Sequence, residues 1–227
     1  MGTSKGYIAP TKVHWSQAKR AVTDYIRNED SESCAKAASR YAAAMHHDIK
    51  SSANFLKAVG SLLSFANAIS NSSINEALRN FNRSDLIGKS SNEIYNELIE
   101  GFTNYGSTIE DYLSSEAIRS ALKILDITDL EQLKDIDGVD LLKEILIEYI
   151  KFSFAFRYEE KIRMKRTPAE TEKLLIGMNK YISNQLHNKL NLKDINIIDF
   201  SNMKASNIVE TALEDAYEVF EMFYEEV

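Results

Sequence analysis

The four histidines, His14, His46, His47 and His187, are the first residues to weigh as acid–base groups or metal ligands. His46 and His47 are neighbours, so on a helix their side chains diverge by about 100 degrees and cannot take one ion from one face. No His-x-x-x-His or Glu-x-x-His spacing sets a second imidazole or a carboxylate beside any of the four. Exposed or partly packed histidines are expected. The single cysteine, Cys34, stands near a helix start, where a thiolate is favoured, but inside an alanine-rich stripe with no local base. Core packing is its expected role, and one cysteine excludes an internal disulfide or a multi-cysteine zinc site.

Phosphate-cradling and nucleophile motifs are missing: the sequence has no GxxxxGK[ST], no GxGxxG and no Gly-x-Ser-x-Gly. Glu159-Glu160 and Glu170-Thr-Glu172 pair carboxylates only along the chain, each within a charged helical face. The basic run Arg157, Lys161, Arg163, Lys165, Arg166 is interrupted by those acids and lies at a helix C-terminal end, where bases are favoured anyway. It is expected to be a solvated face. Neither an enzyme nor a cofactor is expected.

What remains is the opening stretch, Met1-Gly-Thr-Ser-Lys-Gly-Tyr-Ile-Ala-Pro-Thr-Lys-Val-His-Trp-Ser16. Gly2 and Gly6 loosen its backbone, and Pro10 keeps Ala9 out of helical dihedrals. An extended, flexible arm over residues 1–15 is the expectation, ending where Trp15 acts as a staple and Ser16 caps the first helix. A small residue at position 2 favours removal of Met1, which exposes a glycine amine. Two readings stand: a frayed terminus, or a handle that a partner grips or an enzyme modifies. A myristoylation pattern would want Ser or Thr where Gly6 stands.

The elements that must carry this arm are helices. Two prolines and eight glycines in 227 residues, with 44% hydrophobic residues, predict long uninterrupted elements and a sizeable core. The apolar spacing predicts helices over 16–27, 32–50, 52–69, a short one through Leu78, then 91–100, 109–125, a short one through Leu130 and Leu133 capped by Thr128, 139–166, 168–189 and one from Ser206. Gly60 and Ser64 are expected to face the alanine-rich second helix. The alternation Phe152, Phe154, Phe156, Tyr158 leaves a strand as the alternative within the longest helix. Ile109 and Tyr112 are placed on an apolar face, and the aromatics of 101–108 are expected to pin that loop to the body. The fold class is therefore all-α: an irregular bundle of about eight to ten helices with an extended N-terminal arm, residues 16–227 forming a single domain.

No apolar run approaches the roughly 20 residues that span a bilayer, and no basic-then-apolar leader opens the chain, so a cytoplasmic location without membrane contact is expected. The net charge of −7 argues against a dedicated nucleic-acid binder. Direct nucleic-acid contact would need the 157–166 bases to be continuous in space with others, and salt-dependent binding would reveal it. The last helix carries acids from Glu210 to Glu226 and no base. It either docks on a basic partner or keeps the protein soluble.

The opening Met1-Gly-Thr-Ser-Lys-Gly-Tyr with Pro10 and Trp15 resembles the N-terminus of the QatB-like proteins of bacterial anti-phage defence. A second stretch, Leu78-Arg-Asn-Phe-Asn-Arg-Ser-Asp-Leu-Ile-Gly-Lys-Ser90, is similar to that family's short block of leucine, acid, leucine, valine or isoleucine, glycine, a basic and a small residue. It leads into Glu93-Ile-Tyr-Asn-Glu-Leu98, Gly106-Ser-Thr-Ile-Glu-Asp111 and Ala117-Ile-Arg-Ser-Ala-Leu122. The resemblance is carried by residues 1–125, and Gly6 to Pro10 depart from the family's glycine- and serine-rich run. It implies a non-catalytic defence component that works with a QueC-like enzyme of deazaguanine type, an ATPase and a TatD-like nuclease. It implies further that the QueC-like enzyme acts on the exposed glycine, here Gly2, with Thr3, Ser4, Lys5 and Gly6 as the recognised arm and Trp15 at its end. The competing reading is a purely structural helical adaptor that bridges the enzyme subunits without using the arm.

Overall fold

The computed structural model describes residues 12–192 and 205–225, the side chains of 222–225 excepted. Among these residues every regular element is helical: α1 (Val13–Asn28), α2 (Ser31–His47), α3 (Ala53–Asn71), α4 (Ile74–Asn80), α5 (Ser91–Phe102), α6 (Ile109–Ile124), α7 (Gly138–Arg163), α8 (Pro168–Lys189) and α9 (Ala205–Glu225). Short 3-10 turns occupy Ile49–Ser52, Ser84–Leu86, Asn104–Gly106 and Leu130–Asp135. The all-α bundle expected from periodicity is observed. The strand alternative at Phe152–Tyr158 falls inside α7, whose consecutive residues Ile145, Leu146, Ile147, Glu148, Tyr149 and Ile150 are all buried. A helix apolar around most of its circumference needs neighbours on several sides, and that is why its pattern mimics a strand locally.

The described residues group into two compact units. The first contains the chain up to Asp48, Ile150–Lys189 and the segment from Ala216; the second contains Ile49–Tyr149 and Leu190–Asp215. In the first unit α1 and α2 form a helical hairpin, turned by Glu29 in the left-handed region (φ 57). Asp30 rather than Ser31 or Ser33 caps α2, its carboxylate accepting the Ser33 N–H at 2.7 Å. Ala37, Ala38, Ala42 and Ala44 are buried on α2, as its small-residue stripe requires. The Tyr25 hydroxyl donates to the Leu174 carbonyl at 2.9 Å and ties α1 to α8. Gly177 lies under that hydroxyl, where an added Cβ would come within 2.8 Å.

The second unit is built around α3, with α4, α5, α6 and the Leu130–Asp135 turn against it. Phe65 sits edge-on to Phe81 at 5.2 Å and near Phe102 at 6.1 Å. Phe55 stacks on Tyr149 at 3.7 Å, and the Tyr149 hydroxyl donates to Ser52 Oγ at 3.1 Å. Gly60 receives the start of α9, not the alanine-rich helix expected: an added Cβ would lie 3.0 Å from the Ser206 nitrogen. Ser90 caps α5 in a reciprocal capping box with Glu93, and Gly88 turns the preceding connector at φ 86. Three local expectations are corrected. The expected short helix is a 3-10 turn over Leu130–Asp135 capped by Asp129, because the Asp129 carboxylate, one residue nearer than Thr128, takes the Glu131 N–H at 2.9 Å. Phe102 pins its loop by joining the Phe65–Phe81 cluster, whereas Tyr105, held in the left-handed region at φ 53, stands 63% exposed. Ile109 and Tyr112, at the first turn of α6, are also exposed.

Candidate functional site

The expected recognition residues Gly2, Thr3, Ser4, Lys5 and Gly6 lie outside the described residues. Trp15 lies within them, and around it the chain is tied down. α1 starts at Val13, three residues ahead of the expected cap. The Ser16 N–H donates to the Lys12 carbonyl at 3.1 Å, so Ser16 belongs to the first turn and Trp15 to the helix itself. Lys12 takes the N-cap position in extended conformation without a side-chain cap. Burial of the indole accounts for the earlier start, because Trp15 is only 4% exposed and its position fixes the turn that carries it.

The indole is held on every side by the first unit. Its Nε1–H donates to the Asp48 carboxylate at 2.7 Å, just past the end of α2. Lys12 also donates to Asp48, so one carboxylate gathers both ends of the first turn. Tyr41 meets the ring edge-on at 6.4 Å and packs in turn against Phe154 at 5.3 Å and Tyr158 at 6.1 Å. The Arg157 guanidinium lies over the indole, 5.4 Å from its centre, and is itself bound to Ser153. His14 stacks on His47 at 3.7 Å beside this cluster, and His46 pairs with Glu221 at 3.0 Å. Burial works against the Asp48 charge, but the hydrogen bonds from Lys12 and Trp15 and the charges of Lys12 and His47 outweigh it. The carboxyl is held below its ordinary range.

The basic run is the solvated face expected only at Arg163 and Lys165, which are exposed. Arg157 packs on Trp15, Lys161 donates to the Lys19 carbonyl and to Thr23 Oγ1, and Arg166 bonds the Ile26 carbonyl and pairs with Glu29 at 3.0 Å. Three of its bases therefore dock α7 and the turn after it onto α1, while Arg163 pairs with Glu159 on its own helix. Asp48, Arg157 and Lys161 are the residues that local reading missed as partners. Lys161 alone had a hint, since a four-residue register with Arg157 marks one face.

Burial pushes the Cys34 thiol up to about 11 and raises Tyr25 as well, the two groups facing each other between α1 and α2. A thiol so placed is a core side chain. A cleft of about 540 Å³ is walled by the Glu159–Arg163 pair with Pro168, Leu175, Ile176 and Asn179. Among the described residues no group of three or more His, Cys, Asp or Glu side chains is placed to hold a metal ion. Nor, among them, is any helix long and apolar enough to cross a membrane.

The arrangement anchors a segment: the chain leaving Lys12 toward the N-terminus departs from a fixed, hydrogen-bonded point. Comparison with known proteins bears on the rest of the chain. No curated protein and no solved structure matches it. The family described as Qat anti-phage system associated protein QatB matches residues 49–220. That span takes in the 78–122 motifs and extends through helices whose sequence showed only helical character, while the first 48 residues lie outside it. On a match covering most of its length, this chain belongs to the QatB family of Qat anti-phage system associated proteins.

Proposed function

We propose that this QatB-family chain is a non-catalytic component of anti-phage defence whose N-terminal glycine, Gly2 after removal of Met1, is recognised and modified by a QueC-like partner enzyme. The observation that favours it is the anchor at Trp15. Its bond to Asp48 and the Lys12–Asp48 pair give the residues ahead of Lys12 a fixed root on a folded body. A partner that docks on the body then meets the N-terminal segment at a defined place, which lowers the ordering cost of threading it into an active site.

The step suits glycine. A free α-amine has a pKa near 7.7–8.0 and is partly neutral at physiological pH. Its lone pair attacks the carbonyl carbon of an activated acyl group held by the partner, an N–C bond forms, the activating group leaves with its electron pair, and the nitrogen loses a proton. No side chain at position 2 obstructs a narrow tunnel. The activation chemistry belongs to the partner; this chain contributes the nucleophile and its positioning, in an assembly that includes an ATPase and a TatD-like nuclease.

Intact mass of the protein expressed with and without its neighbouring genes, with sequencing of the N-terminal peptide, tests this. Loss of Met1 and a partner-dependent added mass on Gly2 are expected. Loss of Met1 without any adduct under co-expression would return the segment to a bland tether. The second reading, an adaptor that bridges enzyme subunits through its helical faces, then takes over. It predicts that deletion of residues 2–8 leaves assembly and defence intact.

A further inference from the structure

The outward side of α1 carries positive charge on both flanks. On one flank Arg20 shares a cleft of about 260 Å³ with Lys36 and Arg40 of α2, and Gln17 and Asp24 complete its wall. Lys36 and Arg40 are four residues apart on one helix, hence on one face. On the other flank the Lys161 ammonium reaches the Lys19 carbonyl and Thr23. It is pushed down to about 8, first by burial and then by the charges of Lys19 and Lys165, with Asp24 opposing. Asp24 is itself bound by Arg27 at 3.0 Å. Positive charge is thus concentrated around one helix of a chain whose net charge is −7. Of the 157–166 bases, Lys161 is the one that meets a further base on α1, Lys19.

We propose that this side of α1, from the Arg20–Lys36–Arg40 cleft to the Lys19–Lys161–Lys165 cluster, binds the phosphate backbone of a nucleic acid. The two clusters flank a helix about 10 Å across, so a single phosphate or carboxylate cannot satisfy both. A chain of regularly spaced charges can, and a nucleic-acid strand offers one phosphate per ~3.4 Å of rise. The surface between the clusters favours nucleic acid over a protein. Ser16, Gln17, Lys19 and Arg20 are exposed there, polar or cationic, with Asp24 as an acid among them and Val13 as a single exposed apolar residue at the start of the face. Protein interfaces need an apolar centre with aromatic anchors, whereas nucleic-acid interfaces are polar and positive. The planar fork of Arg20 suits phosphate oxygens. The proposal is independent of any modification at Gly2.

The test is fluorescence anisotropy of a labelled 20-nucleotide single strand and its duplex, titrated with the full chain between about 50 and 200 mM salt. Saturable binding is expected for at least one, with affinity falling linearly in log salt. The double variant Lys19→Glu/Arg20→Glu, both exposed positions, is expected to weaken binding at least tenfold at low salt with an unchanged melting temperature. Lys123→Glu/Lys134→Glu, exposed and in the other unit, makes the same change in net charge and is expected to bind within about twofold of the parent. Absence of binding at low salt overturns the proposal. So does equal weakening by the two double variants, since net charge alone would then explain it. Polyglutamate that competes as well as the oligonucleotide, charge for charge, also overturns it and identifies the face as a site for an acidic protein.

Discussion

The Trp15 indole N–H donates to the Asp48 carboxylate at 2.7 Å, joining the first turn of α1 to the end of α2 across 33 residues. Because Asp48 also accepts from Lys12, the contact fixes where the N-terminal segment leaves the body. Trp15→Ala removes a buried indole and is expected to destabilise the protein by about 3–5 kcal/mol. Trp15→Phe keeps most of the packing and loses the hydrogen bond, so about 1–2 kcal/mol is expected. Urea unfolding of both variants measures this; equal effects would mean that the bond to Asp48, not the packing of the ring, is the anchor.

The same carboxylate sets an acid limb. Asp48 is held below its ordinary range in the folded protein, so its contribution to stability is present above the unfolded-state value near 3.9. It is lost as pH falls through the lower folded value. Asp48→Asn should therefore be less stable than the parent at pH 6, with the gap narrowing as pH falls below 4. A gap that stays constant down to pH 3 would show that the Asp48 charge plays no part in the anchor.

Gly60 makes the complementary case for a residue that must stay small. An added Cβ would stand 3.0 Å from the Ser206 nitrogen and 3.2 Å from the Ala205 carbonyl carbon, both backbone atoms that cannot rotate away. Alanine gains about 1 kcal/mol of helix propensity over glycine, so in an open helix Gly60→Ala would stabilise. Here overpacking reverses the sign, and a net loss of about 1–2 kcal/mol is expected, with Gly60→Val losing more. A stabilised Gly60→Ala protein would mean that α9 can draw back from α3.

Features with local causes were legible in the sequence. Ser90 with Glu93 three residues on, Gly88 at its turn, and the apolar stripes of α3 and α8 all follow from neighbours within about one helical turn. The fold class follows from such stripes alone. Trp15's partner Asp48, Gly60's neighbour Ser206 and the docking of Arg157 on the indole were not legible, since nothing in helical periodicity specifies which helix fills a face. Ile109 and Tyr112 show the opposite failure: an apolar residue in register can sit at the open end of its helix. The candidate site was half visible, because Trp15 announced itself as the lone indole in a polar stretch while its supports are scattered over α2 and α7.

Cys34 should behave as a core thiol. With its ionisation pushed up to about 11, the thiolate fraction at pH 8 is on the order of 100-fold below that of a free cysteine. Native protein should accordingly resist iodoacetamide at pH 8 and react fully in urea. Because the folded value lies above the unfolded one, Cys34 stabilises the fold below the unfolded value near 8.5 and loses that contribution as pH rises toward 11. Cys34→Ala should remove this alkaline component, and prompt alkylation of the native protein would contradict the burial.

Lys161 supplies an alkaline effect of opposite sign. Its ammonium is lowered to about 8 by burial and then by the Lys19 and Lys165 charges, against about 10.4 in an unfolded chain. Between those values the unfolded chain binds more protons than the folded one, so this residue makes stability rise with pH across that window. Lys161→Met keeps the apolar stem and deletes the titration. Urea midpoints of parent and variant at pH 7, 8.5 and 10 isolate the residue, because every other alkaline group, Cys34 included, is common to both proteins. The parent is expected to gain on the variant from pH 8.5 to 10. Parallel curves would mean that the Lys161 ammonium is as well solvated as any surface lysine, and the positive crowding on that flank of α1 would then have no energetic consequence.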